Sequence, residues 1–116
     1  MSHLSIIPSQ SQHPTGFLMT DQPITVIATL RLRPGHERAV LEAIRHCIAA
    51  SRLETTNLSY QCHRDTSDGA VFVFVERWAS PEALAAHETT PHFRAMAKVF
   101  ETALAEPLRV HITHEI

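Results

Sequence analysis

What most constrains this chain is the way its hydrophobic period changes between residues 24 and 112. Ile24, Val26, Ala28, Leu30 and Leu32 recur at every second position, the spacing of one face of a strand. Arg33-Pro34-Gly35 breaks that run, and Val40, Ala43, Ile44, Cys47 and Ile48 then mark one face of an amphipathic helix. Leu58, Tyr60 and Cys62 return to strand spacing. Arg64 to Gly69 reads as a turn, with Asp68-Gly69 its clearest signal, and a third strand runs from about Ala70 to Trp78. Ser80-Pro81-Glu82 is a helix start, combining an N-cap, a proline at the first position and an acid near the positive end. Thr90-Pro91 repeats the signal soon afterwards. A proline breaks a continuous helix, so the second helical stretch is predicted to be split in two. Phe93, Met96, Ala97, Phe100 and Leu104 share a face of the later segment, Pro107 is expected to end it, and Leu108, Val110 and Ile112 alternate as a last strand.

The order β-α-β-β-α-β predicts an α+β, ferredoxin-like domain with a four-stranded antiparallel sheet. Residues 23–116 are assigned to it. Residues 1–22 are assigned to an N-terminal extension, accessory or flexible, with Met19 as an alternative start. Helices on one side leave the other face of the sheet bare, yet Ile27, Val71, Val73 and Val75 make that face apolar. A second copy of the sheet is the simplest cover, so a homodimer is expected.

Composition narrows the partners. A chain of 116 residues supports one core, and a formal charge of -2 provides no basic field for nucleic acid. No apolar run approaches the ~20 residues of a membrane span. The early residues lack a basic stretch followed by an apolar one, so no signal peptide is expected. Cys47 and Cys62 lack metal-type spacing and read as reduced core thiols, which together with the absent leader suggests a cytoplasmic protein. With no HExxH, no Cys-x-x-Cys and only three glycines, neither a metal nor a dinucleotide cofactor is expected; His111 and His114 would point to opposite faces of a strand.

The histidines around the helix break carry the chemistry. His87 follows Leu84 by three positions, which puts it on the inward face of the short helix, and His92 opens the next. Either can act as a base near neutrality or as a substrate ligand, or both can simply hydrogen-bond around the break. The helix start at Thr90 offers free amides to an anion unless Thr90 caps them itself. Tyr60, Phe72, Phe74, Trp78, Phe93 and Met96 are candidates for an aromatic and apolar wall, with Tyr60 and Trp78 favoured because their polar tips need partners.

From Ile24 to about Arg109 the sequence resembles the antibiotic biosynthesis monooxygenase (ABM) domain family, quinol monooxygenase-like proteins of the dimeric α/β-barrel superfamily. The likeness rests on Ile24–Leu32 with Arg33-Pro34-Gly35, Tyr60-Gln61-Cys62-His63-Arg64-Asp65, Glu76-Arg77-Trp78-Ala79-Ser80 and, above all, Ala86-His87-Glu88-Thr89-Thr90-Pro91-His92-Phe93. It implies a dimeric monooxygenase that oxidises a quinol or related small phenol with dioxygen and without metal or flavin, His87 or His92 acting as base. The alternatives are an isomerase of a small phosphorylated dione (autoinducer-processing type), in which Arg31 or Arg64 would hold phosphate, and a non-catalytic dimeric small-molecule-binding protein. The haem-degrading branch is disfavoured, since Ala28, His87 and Ala97 stand where its Asn, Trp and His would fall.

Overall fold

The computed structural model describes residues 22–116; the expected extension over 1–22 lies, but for its last residue, outside the described residues. The elements are β1 (Ile24–Arg31), α1 (Glu37–Ser51), β2 (Asn57–Arg64), β3 (Val71–Trp78), α2 (Pro81–His87), α3 (Pro91–Ala103) and β4 (Arg109–Thr113). The strands form one antiparallel sheet in the order β2-β3-β1-β4, with the split βαβ connectivity the periodicity predicts. All three helices lie on one face. Val26, Ala28, Leu30, Phe72, Phe74 and Trp78 point towards them and are buried with Val40, Ile44, Cys47, Met96 and Phe100.

Local chemistry explains the boundaries. Ser80 Oγ accepts from the Ala83 amide at 3.1 Å and Thr90 Oγ1 from the Phe93 amide at 3.2 Å, each before a proline that has no amide to lose. The helical stretch is therefore broken between His87 and Pro91. The β2–β3 turn is built by side chains: Asp65 Oδ2 accepts from the amides of Ser67 and Asp68, and Asp68 Oδ1 from that of Ala70. Positive φ occurs at Gly35 (87°) and not at Gly69, so the Asp-Gly turn does not draw on glycine's left-handed freedom.

One expectation needs correction. Helix α3 stops at Ala103, before Pro107, and Leu104 is extended rather than helical. The backbone is diverted because it pairs with the end of the first strand: Leu104 bridges Leu32, the Arg33 amide donates to Ala103 O at 2.8 Å, and the Ala105 amide to Arg31 O at 2.8 Å. Leu104 still packs against the core, which is why its spacing looked helical.

Candidate active site

A narrow cavity of about 40 Å³ opens between the sheet and helices α2 and α3. Val26, Ala28, Phe74, Val110 and Ile112 supply its floor, and Leu84, Phe93, Met96 and Phe100 its roof. The space suits water rather than a ring, so a ring-sized ligand must displace side chains. Met96, unbranched and able to change rotamer, is best suited to yield.

His87 stands in this wall and is 1% exposed. Its orientation is fixed from behind. Nδ1 lies 2.7 Å from Glu54 Oε2, in the α1–β2 connection, and the ring leans on Trp78 with centroids 4.4 Å apart. Because a carboxylate only accepts, Nδ1 carries the proton and Nε2 holds a lone pair. Nε2 is buried with no protein partner among the described residues. Burial pushes the His87 pKa below its usual value, against the opposing hydrogen bond and charge of Glu54, so the ring is neutral at neutral pH. Such an arrangement can accept a proton at Nε2, with a carboxylate behind the ring to stabilise the imidazolium that would form.

His92 reaches the same carboxylate oxygen, its Nε2 2.7 Å from Glu54 Oε2. One oxygen thus anchors both histidines, and His92 stands behind the cavity rather than in its lining. The three ligand atoms lie within 4.8 Å of one another and could also hold a metal ion, a grouping the sequence did not bring out. Their chemistry favours hydrogen bonding instead. A metal-bound histidine normally passes its second N–H to an acceptor, and the far nitrogen of His87 has none among the described residues.

The remaining candidates fall in different places. Tyr60, Phe74, Phe93 and Met96 line the cavity with His87. The Tyr60 hydroxyl points to the Cys47 thiol at 3.6 Å, and burial holds its pKa well above the usual phenol value, so Tyr60 contributes its ring and not an acid. Trp78 lies behind His87 and donates its indole N–H to Glu76 Oε1 at 2.9 Å. Phe72 is outside the lining, beneath the Arg64 guanidinium at 4.8 Å. Thr90 spends its hydroxyl on the Phe93 amide and on His87 O (2.7 Å), which ties the backbone of His87 to the start of α3.

Three acids escaped the sequence reading. Glu54 sits in an irregular connection with no periodicity to single it out. Glu76 had a signal: it occupies the inward register of β3 between Phe74 and Trp78 and is only 7% exposed, an anomaly for a carboxylate. Glu88, the C-cap residue of α2, also lines the cavity. Desolvation pushes both Glu76 and Glu88 up to about 7, for Glu76 with repulsion from Glu88 and Glu54 and against the Trp78 hydrogen bond.

Fold and cavity together define a ferredoxin-like α+β protein with a small, largely apolar cavity between sheet and helices. Residues 23–99 match the family model described as antibiotic biosynthesis monooxygenase, and the chain belongs to that family. A crystal structure of PA3566 from Pseudomonas aeruginosa is 31% identical, covers 84% of this chain and 97% of its own, and superposes with a TM-score of 0.77. Rv0793 from Mycobacterium tuberculosis is 26% identical over 82% of this chain and 96% of its own, with a TM-score of 0.78. A structure described as an antibiotic biosynthesis monooxygenase is 27% identical over 80% and 98%, with a TM-score of 0.77. Comparison with curated proteins gave no match. Membership carries a general monooxygenase-like function on a small molecule. No described helix is long and apolar enough to cross a membrane.

Proposed function

We propose that the chain is a monooxygenase that oxidises a quinol or related small phenol with dioxygen, needing neither metal nor flavin. One observation carries this reading: the unpartnered Nε2 of His87, held by Glu54, in the wall of an otherwise largely apolar cavity. His87 takes a phenolic proton, and Glu54 stabilises the resulting imidazolium. The electron-rich phenolate then reduces dioxygen inside a cavity that excludes bulk water. For a simple hydroquinone the balance is quinol plus O₂ giving hydroxyquinone plus water. Four electrons leave the organic molecule, one oxygen atom enters the ring, and the other leaves as water.

The isomerase reading gains no support from the lining. A phosphate needs cations, and the cavity has no arginine or lysine but two glutamates. Arg31 is paired with Asp68 at 3.0 Å, and Arg64 with Glu37 at 2.9 Å. A purely binding role predicts no base at the cavity, against the placement of His87.

The reading extends to a homodimer. On the face away from the helices, Ile27 is 36% exposed and Val71, Val73 and Val75 are half-buried, an apolar surface that a second sheet would cover. The test of the reaction is oxygen uptake with a panel of quinols, corrected for autoxidation. His87→Ala should lower turnover by roughly 10²–10⁴-fold. Uptake equal in wild type and variant would sink the assignment of the base, and no uptake above autoxidation would sink the oxygenase.

A further inference from the structure

Two carboxyl groups share the cavity with His87, and the proton transfer just described uses neither. Glu76 enters from β3 and Glu88 from the end of α2. Trp78 holds Glu76 through Oε1, which leaves its second oxygen without a hydrogen-bond partner among the described residues. No lysine or arginine of the lining neutralises either acid. Above about pH 7, where both carboxyls are ionised, a buried carboxylate with a spare acceptor and no countercharge favours a ligand that brings a hydrogen-bond donor, and repels one that brings a second negative charge.

We propose that Glu76 and Glu88 are the specificity determinants of this site: they accept a hydrogen bond from the second hydroxyl of an uncharged dihydroxy aromatic whose first hydroxyl faces His87, and they exclude aromatics carrying a carboxylate or phosphate. The proposal rests on the quinol reading and deepens it by assigning the residues that select among aromatics. It also accounts for an acidic pair on a wall where apolar side chains would pack better. Discrimination arises from both sides, a favourable contact for the diol and a repulsive one for the anion.

Binding separates selection from turnover. Calorimetric titration without oxygen at pH 8, where both carboxyls are ionised, would compare hydroquinone, 4-methoxyphenol (one hydroxyl masked) and 2,5-dihydroxybenzoate (a carboxylate added). In the wild type, hydroquinone should bind at least about tenfold tighter than either analogue. Glu76→Gln keeps an acceptor for the Trp78 indole, and Glu88→Gln changes a half-buried position, so at least one variant should remain folded. Each should narrow the gap between hydroquinone and dihydroxybenzoate by about threefold or more. An unchanged gap in both variants, equal binding of the anion by the wild type, or no hydroquinone binding would overturn the proposal. Binding with the expected preferences but no oxygen uptake would instead refute the oxygenase and leave the selection rule standing.

Discussion

Replacing Glu76 with glutamine should stabilise the protein at alkaline pH and hardly at all in mild acid. The side chain is 7% exposed, and its pKa is raised from 4.5 to about 7, chiefly by desolvation. Between those two values the native state keeps a proton that the unfolded chain has lost, so stability falls as pH rises through the window. The full displacement from 4.5 to about 7 is worth about 3 kcal/mol, of which about 2–3 kcal/mol develops between pH 5 and pH 8. Glu76→Gln removes this dependence, retains the amide oxygen as acceptor for the Trp78 indole, and leaves His87 common to both proteins. His87 has a depressed pKa and so acts in the opposite sense, stability rising with pH up to its ordinary range, but it cancels in the difference. Urea unfolding at fixed protein concentration would read the effect. With a slope of about 1–3 kcal/mol per molar, the midpoint difference between variant and wild type should widen by roughly 1–2 M from pH 5 to pH 8. Parallel curves across that range would refute the claim that Glu76 is desolvated, and with it the electrostatic account of the cavity wall.

Other variants test the remaining parts of the site. Glu54→Gln should reduce turnover about 10–100-fold, and because Glu54 raises the His87 pKa, the acid limb of the rate profile should move to lower pH; an unmoved limb would separate Glu54 from the base. Met96→Ala should cost about 2–5 kcal/mol of stability yet admit bulkier phenols, and turnover of a naphthalenediol relative to hydroquinone should rise. Val73→Asp puts a charge on the bare face of the sheet, and light scattering should find a mass near twice 13.0 kDa for the wild type and near 13.0 kDa for the variant. A wild-type monomer would refute the dimer.

The fold was legible because its signals are local and repeated: strand spacing in β1 and β3, helical spacing in α1 and α3, and two proline-marked helix starts. The end of α3 was not, because a long-range pairing of Leu104 with Leu32 overrides a helical spacing that is locally sound. The site divides in the same way. His87 was legible from its place three residues after Leu84, where helical geometry alone turns it inward. What orients the His87 ring is Glu54, 33 residues away in an irregular connection, where neither periodicity nor spacing distinguishes it from its neighbours. Glu76 is the instructive case between these extremes. The alternation that correctly sent Phe72, Phe74 and Trp78 inward sends Glu76 inward too, so its burial was written in the strand. A charged residue in the buried register of a strand is too costly to be incidental unless the fold gives it a partner or a task. The Trp78 indole satisfies only one of its oxygens. Glu76 lines the same cavity as His87, whose Nε2 is buried without a partner among the described residues, so the proposed ligand with two donor hydroxyls would offer one to each.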